Sequence, residues 1–422
     1  HAWFDRLGAV GYTRTPVLRS SPAEAGLSLF VHRLRAMLSQ NIQNSMEGKT
    51  GAFAAAIMTG DRSGMDQASL EALRASNLAH LLAISGLHIG LLTGFVFASH
   101  RYALALLPFL ALRYPIKKIS ACVALAVGAV YLALSGGNVA TLRAYIMVSV
   151  MFGAVLCDKR AVTLRSVAIA AVIVLVLTPE ALVGPGFQMS FAATTALVWT
   201  FSALRQIEMY RWPGWAQILA NVFVSSGVAG LATAPISAAH FNQIAHLGLI
   251  ANVLSVPLMG MLVMPAAVLS LCLAPLGLWE LGLWFMDKGL RWILFVAETV
   301  SARPEALSHV VSPYPSVLAV LSLGCLFFIL WRGPARFIGL PIALSAFVIW
   351  TQVELADGLI ADTGALIGIM TPEGRALSKA RGNGFVAGIW LENDGAPVEQ
   401  EVAASRPAFR VEDRKTQAEL GP

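Results

Sequence analysis

Between about residues 78 and 350, apolar runs of roughly 17 or more residues follow one another, each long enough to cross a hydrocarbon core of roughly 30 Å. Lipid offers no water to pair backbone N–H and C=O groups, so such runs must close their hydrogen bonds internally, as helices. Composition agrees: 57% of the 422 residues are apolar and 13% charged, too little charge to clothe a soluble surface of this size. Spanning segments are expected at about 78–98, 119–134, 142–156, 166–178, 188–204, 216–236, 247–273, 316–331 and 337–350. Ala103–Leu112 is too short to cross, and Pro257 and Pro265 interrupt the ladder of 247–273, so these two places are expected to be re-entrant or interfacial. The fold class is therefore an all-α polytopic membrane bundle of about eight to ten transmembrane segments with interfacial or re-entrant helices, followed by a small β-rich tail.

The formal net charge of +6 is not by itself a sign of nucleic acid, because Lys and Arg accumulate in the cytoplasmic loops of membrane proteins. Arg113, Lys117 and Lys118, then Lys159, Arg160 and Arg165, then Arg205 and Arg211 fall on one side if the segments alternate. Arg332 and Arg336 join them if 247–273 and 276–300 both cross, or if neither does. That side is read as the cytoplasm, with the loops at Ser135–Thr141, Pro179–Phe187 and Ser237–His246, the N-terminal segment and the tail on the other. Cys122, Cys157, Cys272 and Cys325 lie far apart in or beside apolar runs, which suits helix packing rather than metal binding or disulfides.

Four regions are expected. The polar, Gly- and Pro-punctuated 1–27 reads as the end of a soluble module upstream, and a chain opening on His1 reads as a piece of something longer. Residues 28–77 read as interfacial amphipathic helices, with Phe30, Leu34, Met37, Leu38 and Ile42 on one face of the first. Residues 78–350 hold the spanning segments. Residues 351–422 form a tail of a few β-strands, Ala365–Met370 and Phe385–Trp390 among them, with a partly disordered end. Glu280, Asp287, Arg291 and Glu298 form one stripe of 276–300, which marks an interfacial or pore-facing helix.

Polar residues recur at helical spacing inside the apolar runs. Asn77, Ser85, His88 and Ser99 share a stripe, while Gly86, Gly90 and Gly94 form a smooth seam on the opposite side that suits close helix packing. Gln188, Thr195 and Ser202 align, as do Gln217, Asn221 and Ser225, and Asn252 and Ser255 precede Pro257. Such residues either bond between helices or line a hydrated conduit. Four stripes favour the conduit. Arg143 either snorkels to the headgroups or meets phosphate groups, since ionisable side chains in a membrane are functional candidates. His88, His240 and His246 match no metal-ligand spacing. The chain has no Walker-type loop, no His-x-His-x-Asp-His string and no nucleophile elbow.

The string Ala83-Ile-Ser-Gly-Leu-His88, preceded by Ala79-His80, resembles the signature of the ComEC competence family. Gly186-Phe-Gln-Met-Ser-Phe191, Thr141-Leu-Arg-Ala144, the run from Ala234-Pro235 through His240-Phe241 to Ala251–Pro257, and the Gly60-Asp-Arg-Ser63 turn fit the same pattern in the same order. The resemblance implies an inner-membrane, multi-pass channel that takes single-stranded DNA into the cytoplasm during natural transformation. It implies partners too: a DNA receptor, a cytoplasmic motor or strand-binding proteins, the bilayer and, as an option, further copies of the chain. Residues 1–27 then become the remnant of a periplasmic module, and the β-rich tail stands where many members carry a metallo-β-lactamase-like module. Strand-path candidates are Asp61, Arg62, Ser85, His88, Arg143, Gln188, Thr195, Asn221, Ser225, His240 and Asn252, with no catalytic group, metal or cofactor expected. The alternatives are a membrane-embedded metal-dependent hydrolase near Asp61, His88 and His240, and a small-solute or lipid-linked transporter.

Overall fold

The computed structural model describes residues 26–205, 213–412 and 415–418. The expectation for 1–27 lies almost wholly outside them. Helix α1 (Leu27–Ser45) is amphipathic, and only part of the expected apolar face, Leu34, Leu38 and Ile42, turns toward the protein. Ile42 is buried while Phe30 and Met37 are 63% and 59% exposed. Polar anchors turn the helix: Arg35 Nε donates to Thr59 O at 2.7 Å and Ser39 Oγ to Asp61 Oδ2 at 2.6 Å.

Helix α2 (Lys49–Thr59) corrects the interfacial reading for its own residues. Every residue from Thr50 to Thr59 is buried. Its run Ala52-Phe-Ala-Ala-Ala-Ile-Met58 is apolar and mostly small all round, and such a helix belongs inside a core rather than on a surface. Tyr131 reaches in to donate to Ile57 O at 2.6 Å. Gly60 ends the helix at φ 75°, a left-handed conformation suited to glycine. Helix α3 (Gln67–Ala75) follows, capped by Asp66, whose carboxylate accepts from Ser69 N.

The first expected span is broken. Helix α4 (Ala79–Leu82) stops, Ala83 to Ser85 run extended, and α5 (Gly86–Ala105) starts afresh. Short α6 (Pro108–Arg113) leads to α7 (Ile116–Leu134), α8 (Val139–Leu156) and α9 (Leu164–Leu177). Lys118 Nζ meets Asp158 Oδ2 at 2.6 Å, so two of the basic loops lie at one end of the bundle. Helix α10 (Pro185–Leu204) and the 28-residue α11 (Gly214–Phe241) pack along each other.

Strand β1 (Gln243–Ala245) opens into α12 (Gly248–Leu258), a π-helical turn at Met259–Val263 and α13 (Met264–Leu273). Pro257 and Pro265 do not break this segment; the extra residue of the π turn absorbs the interrupted ladder. The result is one 29-residue apolar helix from Gly248 to Leu276. Helix α14 (Trp279–Ser301) returns beside it, with Gly282 against Ser270 and Gly289 against Val263. Strand β2 (Leu307–His309) closes the hairpin by pairing antiparallel with β1. Two residues of the charged stripe of α14 are tied to α2: Lys49 pairs with Glu298 at 2.8 Å and Thr50 donates to Asp287 at 2.7 Å, while Arg291 donates to Asp287 at 2.6 Å along α14 itself.

Helices α15 (Pro315–Leu330) and α16 (Gly339–Thr351) cross closely at Gly324 and Gly339. Among the described residues, five helices are long and apolar enough to span a membrane: Ile116–Leu134, Val139–Leu156, Gly214–Phe241, Gly248–Leu276 and Pro334–Thr351. Leu164–Leu177 and Pro315–Leu330 are apolar but shorter.

The tail is a small module of mixed structure. Strands β3 (Gly358–Ile360), β4 (Ile367–Thr371) and β5 (Gly374–Leu377) form an antiparallel sheet in that order. Phe385–Trp390, expected as a strand, lies in α17 (Gly384–Asn393), because Ala387 and Leu391, one turn apart, bury a helical face. Helix α18 (Gln400–Ala404) follows. Where a disordered end was expected, β6 (Phe409–Glu412) pairs with β7 (Lys415–Ala418).

Candidate functional site

Polar residues inside an apolar bundle mark the places where chemistry is worth the desolvation, most of all where several meet. The geometry brings three of the candidates to one place. Gln188 lies in the first turn of α10 and His240 in the last turn of α11. His240 Nε2 donates to Gln188 Oε1 at 2.8 Å, and Gln188 Nε2 donates to Leu182 O at 3.0 Å. Arg143, on α8, presses its guanidinium against the same turn. A Cβ added to Gly186 would lie 2.5 Å from Arg143 Nη2. The glycine leaves room for the guanidinium to lie directly on the turn.

Arg143 is half-buried, and its Nε has no hydrogen-bond partner among the described residues. A helix N-terminus carries partial positive charge and free N–H groups. Placing a guanidinium against it is unfavourable unless an anion joins them. Together the arginine and the free N–H groups of Gly186 and Phe187 in the first turn of α10 offer donors suited to an oxyanion such as phosphate, with the Gln188–His240 pair beside them.

The remaining candidates do not join this cluster. Asp61 is half-exposed, and the hydroxyls of Ser39 and Ser63 hold its carboxyl below the usual carboxylate range. Its oxygens accept from Ser39 at 2.6 Å and Ser63 at 2.7 Å, so it fastens a turn. Arg62 beside it is exposed. Ser85 caps α5, and its N–H reaches His88 Nδ1 at 3.4 Å with its hydroxyl at 3.2 Å. His88 is 0% exposed and its Nε2 has no partner among the described residues. Thr195 is half-buried on α10. Asn221 is exposed on α11, where its carbonyl accepts from Ser225 Oγ at 2.6 Å. Asn252 is buried on α12 with Oδ1 unpaired among the described residues.

Two sequence readings need correction. The stripe of Asn77, Ser85, His88 and Ser99 belongs to no single helix, because the chain is extended before α5. The seam of Gly86, Gly90 and Gly94 does not form a close contact: these glycines are exposed, and a Cβ on Gly90 or Gly94 would meet nothing within 4 Å.

Sequence reasoning also missed residues near the cluster. Asn242, two residues past His240, is 5% exposed at φ 56° and donates through Nδ2 to Val310 O and Ser312 Oγ. An Asn at the end of a long apolar run was the available signal.

As to metal chemistry, no group of three or more His, Cys, Asp or Glu side chains among the described residues could hold an ion. Asp61, His88 and His240, the proposed centre of a hydrolase, have separate partners in Ser39, Ser85 and Gln188.

A sequence model of the family described as competence protein matches residues 57–335. The ComE operon protein 3 of Bacillus subtilis (strain 168) is 26% identical over 271 residues, which cover 64% of this chain and 32% of that protein. The match thus spans about a third of the relative's length. No solved structure matches.

Proposed function

Because the chain belongs to the competence protein family, we propose that it passes single-stranded DNA across the bacterial inner membrane. The observation that carries this reading is Arg143, pressed on the N-terminal turn of α10 at Gly186 beside the Gln188–His240 pair. A polyanion needs such stations to be weak and few, so that each phosphate can leave as well as arrive. One half-buried arginine with one helix N-terminus meets that requirement better than a deep basic pocket. Driving force comes from outside the chain, from a cytoplasmic motor or strand-binding proteins, and a DNA receptor delivers the strand. The loop of Asn242 and the tail share one end of the bundle, which is taken as the periplasmic one.

The test is binding and transport by the whole chain in lipid. Fluorescent single-stranded oligonucleotide should bind the chain in nanodiscs with an affinity that falls as salt rises. Arg143→Ala should weaken binding about tenfold and lower the salt slope by about one, as loss of a single phosphate contact does. Arg143→Lys should keep part of both. Transport of the oligonucleotide into vesicles should fall in parallel. Equal binding and slope in Arg143→Ala would remove the cluster from the strand path.

A further inference from the structure

The tail is wired to the end of α11 through a three-residue segment, Val310-Val311-Ser312, that leaves β2. Asn242 fixes the near side. Its carbonyl accepts from Val310 N at 3.0 Å, and its Nδ2 donates to Val310 O at 3.0 Å and Ser312 Oγ at 2.8 Å. Trp350, at the end of α16, donates through Nε1 to Val311 O at 2.8 Å. Asn393, the last residue of α17, fixes the far side. Ser312 N donates to Asn393 O at 2.9 Å, and Ser312 Oγ donates to Asn393 Oδ1 at 2.9 Å. Ser312 thus accepts from Asn242 and donates to Asn393 in one line.

The far side is rigid. Asp394, next to Asn393, takes a bidentate ion pair from Arg375, with Oδ2 at 2.6 Å from Nε and Oδ1 at 3.0 Å from Nη2. Both side chains are buried, 1% and 7% exposed, so this joint is held in low dielectric with fixed geometry. Gly395 then turns at φ 71°, and a Cβ there would lie 2.8 Å from Val310 C and Val311 N. The tail backbone therefore rests directly on the segment, which only glycine permits.

We infer that Asn242 is a positioning residue through which the C-terminal module clamps the end of α11 and so sets the place of His240. The module acts as a fixed abutment: α17 holds Ser312, Ser312 holds Asn242, and Asn242 ends the helix whose last turn carries His240. The clamp stands whether or not DNA passes His240; only its effect on DNA rests on the function proposed above.

The test uses the full chain in nanodiscs, with hydrogen exchange and oligonucleotide affinity measured on the same samples. Ser312→Ala lies outside the tail module and breaks the relay without touching its core. It should speed exchange of the amides of Asn242 and β1 about tenfold, while amides of β4 and β5 keep their protection. Asn393→Ala should do the same, and Asn393→Asp, which keeps the acceptor oxygen, should restore protection. Gly395→Val should lift the module off the segment with the same signature. Unchanged exchange at Asn242 and β1 in both Ser312→Ala and Gly395→Val would overturn the clamp. Faster exchange with weaker oligonucleotide binding is the expected result. Faster exchange with unaltered binding keeps the clamp and instead removes His240 from the strand path.

Discussion

The imidazole of His240 and the amide of Gln188 lie 2.8 Å apart, although 52 residues separate them in the chain. The pair closes the N-terminal end of α10 onto the C-terminal end of α11, beside Arg143. A half-buried hydrogen bond of this kind contributes about 1 kcal/mol net, and more is lost when one partner is left unpaired.

Replacing Gln188 by Leu should therefore cost about 1–2 kcal/mol in thermal unfolding of the detergent-solubilised chain. His240→Leu should cost a similar amount, and the double variant less than the sum of the two. Oligonucleotide binding should fall in each single variant, with membrane insertion intact. Strictly additive unfolding would mean that the two side chains do not act as a pair.

Asp61 gives a pH dependence. The hydroxyls of Ser39 and Ser63 depress its folded pKa. The stability it contributes is therefore complete above its unfolded pKa of about 3.9 and is lost as pH falls through the lower folded value. Wild type should lose melting temperature more steeply than Asp61→Asn as the pH falls below the unfolded carboxylate value. Because Asp61 is half-exposed, the effect at neutral pH should be no more than about 1 kcal/mol. Equal acid slopes for the two proteins would show that the turn does not depend on the charge. A loss of DNA binding in Asp61→Asn without a loss of stability would return Asp61 to the strand path.

Much of the bundle was legible in the sequence, because apolar length and helical period report directly on segments that must satisfy their own backbone. The limits were physical. Residues 49–59 look too short and too plain for a central helix, yet small residues on every face are what allow α2 to be enclosed on all sides. The break at Ala83–Ser85 hides within an apolar run; its signal is the Ser85 cap with His88 three residues on, not a drop in hydropathy. Pro257 signals a break that the π turn at Met259–Val263 then repairs. In the tail, Phe385–Trp390 carries too few residues to tell a buried strand from a helix. The Gln188 stripe was visible and His240 belonged to the family pattern, but their pairing was not legible, since periodicity within one helix says nothing about which neighbour it meets.

Helices α15 and α16 rest on glycines. A Cβ on Gly324 would lie 2.7 Å from Gly339 O, and one on Gly339 would lie 2.7 Å from Phe328 N. In lipid, such backbone approach supplies much of the packing energy between helices. Gly324→Leu should separate the pair and cost about 1–3 kcal/mol, seen as loss of a cysteine cross-link placed across the two helices. An unaltered cross-link would show that the crossing tolerates bulk.

His88 separates two explanations of a family signature. Its side chain is fully buried, with Nδ1 accepting from Ser85 N–H at the start of α5. Gln at this third helical position can also accept from the cap N–H, so His88→Gln should preserve the break and shift stability by less than about 1 kcal/mol. His88→Phe keeps no acceptor and overfills the site, at a cost of about 1–3 kcal/mol. If His88 serves the helix start, oligonucleotide transport should follow melting temperature across the two variants: nearly normal in Gln, poor in Phe. A tenfold loss of transport in His88→Gln at unchanged melting temperature would instead place the imidazole itself in contact with the strand.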